Sequence, residues 1–313
     1  MLTVRPKKLD DLPATDDSVA TLGAFDGVHL GHQRMLGDLL DRARSSDVSS
    51  AVITLDPHPR VFFNGPAEKF LITEPREQEE AIAAEGVDRL VALPFREVAN
   101  MTAADFFSEV LKRRMAISHL VVGHDQRFGS DQIGDSEQLA AIAGAVGISI
   151  STVRPVVSDG EVVSSTLIRR WVAESRFDLA TAAIGRPFEL SGDVVYGDAR
   201  GRGLGYPTAN IKPAHPLKLI PPHGIYVAHT ELDRNLYPVM LYIGTRGTFG
   251  LSEPTVEAAI LDYSGALYGS NISVGITTKI REDIVFDSPE ALKHQIGRDE
   301  VATREVWEEL GNS

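Results

Sequence analysis

The sequence predicts two folded domains, an α/β domain with a parallel sheet followed by a domain built from an antiparallel sheet or small barrel. Its 313 residues are about twice the length of an ordinary domain. From residue 18 to about residue 155, short β-branched runs alternate with longer amphipathic segments, which is typical of parallel strands with helical crossovers. After residue 185, strand-like runs follow one another without helices between them. We therefore expect one domain over 1–184 and a second over 185–313.

Composition and charge narrow the class of protein. The formal net charge of −13 argues against a nucleic-acid partner, because binding to a phosphate backbone relies on clustered Lys and Arg. The chain contains no cysteine, which excludes disulfides and thiolate metal sites. The first residues are polar where a secretory signal is apolar, and no apolar run reaches the roughly 18 residues of a membrane span. We expect a cytoplasmic protein without a membrane partner, and any bound nucleotide should be small.

Five strands and at least two helices are expected in the first domain. The first helix should run from about Gly31 to Arg44, because apolar residues recur there at the spacing of one buried helix face. A second helix should begin near Thr102, where Thr-x-x-Asp resembles a capping box. The expected buried residues of the first helix are Met35, Leu36, Leu39, Leu40 and Ala43. The expected strands begin at Ser18, Ala51, Arg89, His119 and Ile148.

The second domain is expected to contain five strand-like runs and two closing helices. Ser288 should cap the first of these helices, with Pro289 at its first helical position. Strands joined by short turns would place the runs in one antiparallel sheet or closed barrel. The runs are Glu189–Gly197, Gly224–Thr230, Tyr237–Gly244, Thr255–Tyr263 and Asn271–Ile280.

A segment rich in glycine and histidine, Gly23–His32, follows the first expected strand and opens the first expected helix. Glycine lets the backbone approach a phosphate closely, and a helix N-terminus supplies amide donors with a partial positive charge. His29 and His32 can face one ligand, and two imidazoles on one phosphate suit nucleotidyl transfer. An ordinary turn with an unrelated histidine is the alternative for either feature alone. A zinc site is a weaker alternative, because no third ligand cluster has metal-site spacing.

A second glycine-rich segment, Gly192–Asn210, carries arginines between its glycines. Such a loop is flexible and cationic and suits a polyphosphate. It is not a Walker A loop, because the chain has no Gly-Lys-Ser/Thr and Pro207 stands where that motif would enter a helix. A plain turn between strands is the alternative. The cationic part comprises Gly197, Arg200, Gly201, Arg202, Gly203 and Gly205.

Two further polar features have both a functional and a structural interpretation. Glu257 is a carboxylate in an apolar strand-like run; it could serve a kinase as the acceptor near a hydroxyl, or it could face solvent. A second group of residues could bind an anion at a helix N-terminus, or it could be an ordinary helix cap. This group consists of Ser164, Ser165, Thr166 and Arg169.

Four motifs of the first domain resemble those of the prokaryotic bifunctional riboflavin kinase/FAD synthetases, whose N-terminal domain belongs to the nucleotidylyltransferase superfamily. The segment Gly-x-Phe-Asp-Gly-x-His-x-Gly-His is similar to the first motif of that family. The next three motifs are matched in order by Asp56–Pro59, Gly123–Gly129 and Val163–Arg169. Gln126 departs from the family, which usually carries an aromatic residue at this position.

The resemblance implies a Rossmann-like nucleotidylyltransferase fold for the first domain and assigns roles to its residues. His29 and His32 are implied to be catalytic. The implied nucleotide-binding residues are Gly23, Phe25, Asp26, Gly27, Asp56, Asp125, Ser164, Ser165, Thr166 and Arg169.

In the second domain, Pro207–Asn210 resembles the signature of riboflavin kinases, a β-barrel family. The resemblance implies that Thr208 and Asn210 coordinate the Mg²⁺ that bridges the ATP phosphates, and hard oxygen ligands of this type suit Mg²⁺. It makes Glu257 the general base for the ribityl 5′-hydroxyl. The implied nucleotide-binding residues of the loop are Gly201, Arg202, Gly203 and Gly205.

Three matches in the second domain are altered. Gly247 replaces the usual proline in the segment Gly244–Phe249, and Ala266 replaces the usual aspartate before a matching Leu-Tyr-Gly. The segment Ile280–Glu282 matches the family in part. These changes concern the flavin site more than the phosphate chemistry.

The resemblance implies ATP-dependent phosphorylation of riboflavin to FMN, followed by adenylyl transfer from ATP to FMN that gives FAD and pyrophosphate. Both steps would use Mg²⁺, and the partners would be small molecules. Two alternatives remain: a chain that keeps one activity, with FMN adenylyltransferase favoured, and a non-catalytic flavin-binding regulator. The candidate base and metal ligands argue against a regulator, because binding alone needs neither.

Overall fold

The computed structural model describes residues 1–65, 69–196, 206–245 and 254–311. It consists of two compact units, the first formed by Met1–Glu68 and Pro75–Ser165, the second by Lys69–Glu74 and Thr166–Ser313. The short segment Lys69–Glu74 is part of the second unit because its backbone bonds to residues there. Phe70 N donates to Leu217 O at 2.8 Å.

The first unit contains a six-stranded parallel sheet in the order β1-β4-β3-β2-β5-β6. The five expected strands are confirmed. The edge strand β1 was not expected, because three residues are too few to show a periodic pattern; Leu2 pairs with Arg89 of β4. The strands are β1 Leu2–Val4, β2 Ser18–Leu22, β3 Ser49–Asp56, β4 Arg89–Pro94, β5 Ile117–Gly123 and β6 Ser149–Val153. A two-stranded hairpin, β7 Val157–Ser158 and β8 Glu161–Val162, follows.

Helices cover both faces of this sheet. On one face Leu36 and Leu39 of α1 pack with Val19 and Val52 of the sheet, and on the other face Phe107 packs among residues such as Ile53. Strands buried on both faces explain the nearly continuous apolar runs of the sequence. The helices are α1 Leu30–Ser46, α2 Pro59–Asn64, α3 Pro75–Ala84, α4 Phe95–Val98, α5 Ala103–Asp105 and α6 Ser136–Ala145, with a 3₁₀ turn at Leu9–Asp11.

The helix expected near Thr102 begins there but changes its winding. Thr102 caps α5, since its Oγ1 accepts a hydrogen bond from Asp105 N at 3.1 Å. The chain then continues as a π-helix over Phe106–Arg114, and Met115 N donates to Val110 O, five residues earlier. A period of 3.6 residues predicted an α-helix, so the wider winding was missed.

The second unit contains a closed antiparallel barrel in the order β10-β13-β12-β11-β14-β9, as expected of this half. The strand β10 was not expected, because its four residues follow a glycine-rich stretch. The strands are β9 Phe188–Val195, β10 Ala209–Lys212, β11 Gly224–Leu232, β12 Asn235–Thr245, β13 Pro254–Ile260 and β14 Asn271–Arg281. The helices are α7 Ser165–Ala173, α8 Phe177–Ile184 and α9 Pro289–Gly311.

The expectation of two closing helices is wrong: in the described residues the chain closes with one helix, α9, of 23 residues. Ser288 is confirmed as its cap, because Ser288 Oγ accepts from Ala291 N at 3.1 Å. Gly297 lies inside the helix, where glycine costs about 1 kcal/mol relative to alanine. The helix nevertheless continues past Gly297, and its residues Asp299 and Thr303 are buried. None of the described helices combines the length and apolar character that a bilayer crossing requires.

A buried lysine ties the segment Lys69–Glu74 to the barrel. Lys218 is 1% exposed, and its Nζ donates to Ile72 O at 2.9 Å. The ammonium group also lies 5.3 Å from the centroid of the Phe188 ring on β9. A buried ammonium group needs such acceptors, so the segment is part of how the second unit solvates this charge.

A buried ion pair joins α9 to β14. Arg281 donates through Nη2 to Asp299 Oδ2 at 2.7 Å and through Nε to Asp299 Oδ1 at 3.0 Å. Asp299 is 2% exposed and also accepts from Gln295 Nε2 at 2.9 Å. The two-pronged geometry satisfies both carboxylate oxygens, which makes this pair a structural anchor for the helix.

We predict that Asp299→Ala lowers the free energy of unfolding of the second unit by about 3 kcal/mol, because Arg281 is left mostly buried without its counter-charge. Urea denaturation followed by tryptophan fluorescence measures this unit, since both tryptophans, Trp171 and Trp307, belong to it. The control Glu305→Ala changes an exposed carboxylate of the same helix and should stay within about 0.5 kcal/mol. Equal effects of the two substitutions would contradict the anchor.

Candidate active sites

The turn between β2 and α1 has an unusual backbone. Gly23 N donates to Ile53 O at 3.0 Å, which fixes the start of the turn on β3. Phe25 and Val28 both have positive φ angles, 48° and 39°, around Gly27 at 91°. Such angles are strained for bulky residues and cost about 1–3 kcal/mol each. Both side chains are buried, so core packing holds the strained turn in place.

The two histidines of the segment meet at the N-terminus of α1. His29 caps the helix, with Nδ1 accepting a long hydrogen bond of 3.4 Å from His32 N. The two rings stack with centroids 3.7 Å apart, and Phe25 packs 4.9 Å from His32. A Cβ atom on Gly31 would lie 3.1 Å from the His29 ring, so the stack leaves little room for a side chain at this position. The structure thus brings His29 and His32 together beside the free amides of a helix start.

Burial controls the charge of this pair. Burial, followed by the neighbouring His29, lowers the pKa of His32 well below the usual value of 6.5. His32 Nδ1 is buried and has no hydrogen-bond partner within the described residues. Burial therefore favours the neutral form of His32.

The strand order places a ligand crevice beside this turn. In the sheet, β2 lies between β3 and β5. The next strands in the chain, β3 and β4, are added on one side of β2, whereas β5 and β6 are added on its other side. Open α/β sheets bind ligands at the carboxyl ends of strands at such a switch point. Gln126 spans the two strand ends: its Nε2 donates to Leu22 O at 2.7 Å, and its Oε1 accepts from Gly123 N at 3.2 Å. The residue that departs from the family thus has a structural role of its own, which the sequence did not reveal.

Two expected acidic residues lie at the same edge of the sheet. Asp56 ends β3 and Asp125 follows β5, and both side chains are mostly exposed. Arg5 Nη1 lies 3.8 Å from Asp56 Oδ2. Asp26, by contrast, is 1% exposed within the strained turn. The side chains of Asp56 and Asp125 are thus exposed at this edge, whereas the side chain of Asp26 is packed inside the turn.

The Ser164–Arg169 group is divided between the two units. Ser165 Oγ donates to Asp26 O at 2.8 Å, so the residue that begins α7 is bonded to the strained turn. Thr166 and Arg169 belong to the second unit, where Arg169 Nε donates to Phe70 O at 2.8 Å. The structure therefore brings Ser165 to the first site.

In the barrel, three expected residues converge. Asn210 on β10 is paired directly with Glu257 on β13. Thr208, just before β10, donates from Oγ1 to Glu257 Oε2 at 3.2 Å. Asn210 is 8% exposed. One carboxylate, one hydroxyl and one amide oxygen thus form a set of hard donors, the type that fits Mg²⁺ with a few protein ligands and retained water.

Several expected residues lie outside the described part of the chain, namely Gly201, Arg202, Gly203, Gly205 and Gly247. Next to this gap, Tyr196 stacks on Tyr268 of the Leu-Tyr-Gly match, with ring centroids 4.3 Å apart. No pattern in the sequence predicts that contact. Among the described residues, no cluster of three or more His, Cys, Asp or Glu side chains could hold a metal ion.

The fold and the two sites define a class: a chain that joins an α/β domain with a histidine pair at a helix start to a closed β-barrel that carries a set of hard oxygen donors. The FAD synthetase family model matches residues 12–167, and the riboflavin kinase family model matches residues 184–307. The chain belongs to the bifunctional riboflavin kinase/FMN adenylyltransferase family.

Individual relatives agree along almost the whole chain. The bifunctional riboflavin kinase/FMN adenylyltransferase of Pseudomonas fluorescens is 37% identical over 91% of this chain and 92% of its own. The enzyme of the same name from Escherichia coli K12 is 35% identical, with 92% of each chain covered. A solved structure titled macrolide-efflux protein from Streptococcus pneumoniae has a TM-score of 0.86 and 32% identity, and covers 97% of this chain and 99% of that one. The two-domain architecture is therefore shared by that protein.

We predict that the NMR titration of the His32 ring has its midpoint well below 6.5, because the folded protein resists charging this imidazole. The unfolded chain takes up the proton near pH 6.5 while the folded chain does not, so folding stability should fall as the pH drops below 6.5. Thermal unfolding of the wild type and of His32→Asn between pH 7.5 and 5, on either side of that value, measures this difference. A wild type that loses no more stability than His32→Asn would contradict the lowered pKa.

Proposed function

We propose that this chain makes flavin cofactors in two steps: it phosphorylates riboflavin to FMN in the barrel and adenylylates FMN to FAD in the α/β domain. The observation that carries the proposal is the pairing of Asn210 with Glu257 beside Thr208, together with the stacked histidines at a helix start in the other unit. Two separate anion-directed sites fit two ATP-dependent reactions. We place the division of activities at residues 1–184 and 185–313.

In the kinase reaction, the riboflavin 5′-hydroxyl oxygen attacks the γ-phosphorus of ATP, and ADP leaves. Glu257 accepts the hydroxyl proton, a role that suits a carboxylate placed beside the Thr208 hydroxyl. Thr208 and Asn210 would hold Mg²⁺, which supplies positive charge to the ATP phosphates. Gly201, Arg202, Gly203 and Gly205 are proposed to bind the nucleotide.

In the adenylyl transfer, a phosphate oxygen of FMN attacks the α-phosphorus of ATP, and pyrophosphate leaves. His29 and His32 stabilise the charge that develops on the phosphate oxygens, and the amides of α1 add to this field. An attacking phosphate is already anionic, so no proton has to be removed. The other proposed nucleotide-binding residues of this domain are Gly23, Phe25, Asp26, Gly27, Asp56, Asp125, Ser164, Ser165, Thr166 and Arg169. Because both reactions consume ATP, we propose a cytoplasmic location.

A single assay tests the two-step proposal. The full chain is incubated with riboflavin, ATP and Mg²⁺, and products are separated by chromatography. We expect FMN to appear first and FAD to follow. Accumulation of FMN without FAD, or no FMN from riboflavin, would leave one activity only, and flavin binding without ATP consumption would refute the enzyme.

We predict that His29→Asn lowers FAD formation from supplied FMN by about 10²–10³-fold, because one charge-stabilising group is lost. Asparagine is a good helix cap, so α1 keeps its N-terminal cap and the loss reports the imidazole. FMN formation from riboflavin is measured in the same sample and should be unchanged. Equal loss of both activities would argue against separate sites.

We predict the opposite pattern for Glu257→Gln. The amide cannot accept the hydroxyl proton, so FMN formation should fall by about 10²–10⁴-fold. Adenylylation of supplied FMN should stay at the wild-type rate. Glutamine keeps the size of the side chain, and the matched control Glu231→Gln changes another glutamate of the barrel, on β11. A kinase rate for Glu257→Gln equal to that of the control would exclude Glu257 as the base.

A further inference from the structure

Polar side chains of α9 form hydrogen bonds with residues near both segments that contain the barrel-site residues. The Tyr206 hydroxyl donates to Glu300 Oε2 at 2.7 Å. Arg304, one helical turn further along α9, donates through Nε to Glu300 Oε1 at 3.0 Å. Its Nη1 and Nη2 donate to the two carboxylate oxygens of Asp262 at 2.8 and 3.0 Å. We call these four residues the α9 network.

Each end of the α9 network is close in sequence to a residue of the barrel site. Tyr206 precedes Thr208 by two residues, and Pro207 between them has a fixed φ angle that transmits the position of Tyr206. Asp262 lies two residues after the end of β13, the strand that carries Glu257. It has a left-handed backbone, with φ of 62°, so it sets the direction in which the chain leaves β13. The segments that hold Thr208 and Glu257 are thus both bonded to the same turn of α9.

The charges of the α9 network are complementary and stable. Hydrogen bonds from Arg304 to Asp262 and Glu300 raise the pKa of Arg304 and keep it charged. The same guanidinium lowers the pKa of Asp262. Exposed pairs contribute little one at a time, but a network with two-pronged contacts fixes geometry.

We propose that Tyr206, Glu300 and Arg304 are positioning residues for phosphoryl transfer: they hold Thr208 against Glu257. The proposal rests on the kinase activity proposed above. None of the three bonds to Thr208 or Glu257 in the structure, so they act through the backbone segments that they fix. A misplacement of about 1 Å in such a site is enough to cost about 10²-fold in rate.

One contact of the α9 network, the hydrogen bond from Tyr206 to Glu300, can be removed by a substitution that keeps the packing of the ring. The Tyr206 ring packs against the buried cluster of Ile225, Met240 and Ala259, and Ile296 of α9 packs there as well. Tyr206→Phe keeps that packing and deletes only the hydroxyl that bonds to Glu300. Tyr237→Phe is a matched control, because Tyr237 lies on β12 and contacts the Tyr263 ring.

The test uses the full chain and measures the kinase rate against Mg²⁺ concentration at saturating ATP and riboflavin. For Tyr206→Phe we expect kcat to fall about tenfold and the half-saturating Mg²⁺ concentration to rise, as follows from loss of one hydrogen bond to a charged group. Adenylylation of supplied FMN by the same sample should be unchanged. Tyr237→Phe should match the wild type in both measurements.

Further variants separate positioning from stability. Glu300→Gln should resemble Tyr206→Phe, and the double variant should be no worse than the more damaged single one, because the two residues share one contact. Arg304→Lys keeps the charge but loses the two-pronged bond to Asp262, and it should also raise the Mg²⁺ requirement. Glu305→Gln is the control on the same helix. If Glu300→Gln does not fold, Tyr206→Phe decides alone.

The experiment distinguishes failure of the positioning role from failure of the proposed kinase function. If the wild type makes FMN but Tyr206→Phe and Arg304→Lys have a normal kcat and Mg²⁺ dependence, the positioning role is overturned, even where the melting temperature falls. If the wild type makes no FMN from riboflavin, the kinase function itself fails.

Discussion

Strand register is the constraint on which both sites depend. In the barrel, the four residues of β10 pair with β13 so that Asn210 faces Glu257. Side chains alternate between the two faces of a strand, so a slip of one residue would turn Glu257 to the other side and separate it from Thr208. In the α/β domain, the pairing of β2 with both β3 and β5 creates the crevice at which the turn begins. Function is thus decided by backbone pairing before any side chain contributes.

In the proposed function both sites bind a polyphosphate, and they do so with different interactions. The α/β domain has a strained turn whose bulky residues are held by the core, and burial lowers the pKa of His32 beside it. The barrel uses oxygen donors from two adjacent strands and a helix that braces both of them. A rigid backbone reduces the reorganisation that would otherwise accompany the development of charge.

The sequence predicts much of the fold, because long periodic runs report burial directly. The five central strands, the helix α1 and the Ser288 cap follow from spacing and cap chemistry. Short elements such as β1 and β10 are missed, since three or four residues contain no period. The two expected helices form one helix, α9, in which Asp299 is buried and paired with Arg281 of β14.

For the two sites, the residue types and their order in the sequence indicate the kind of reaction. The hydrogen bonds that fix the positions of these residues join parts of the chain that are far apart in the sequence. Glu257 and Thr208 can be chosen from their motifs, whereas the bond from Tyr206 to Glu300 joins residues 94 positions apart. The amide of Gln126 bridges β5 and β2 across 104 positions, and a departure from a family pattern gives no hint of that role. Such partners become visible only once the chain is folded.

Because of the segment Lys69–Glu74, neither unit is continuous in sequence. The polypeptide contributes this segment to the second unit, returns to the first unit at Pro75 and enters the second unit again at Thr166. A single cut therefore cannot yield both units intact. A fragment that begins after α8 would lack the carbonyl of Ile72 that solvates the buried ammonium of Lys218. Evolution by simple fusion or fission of this gene would have to supply a substitute for six residues that lie within the other half of the sequence.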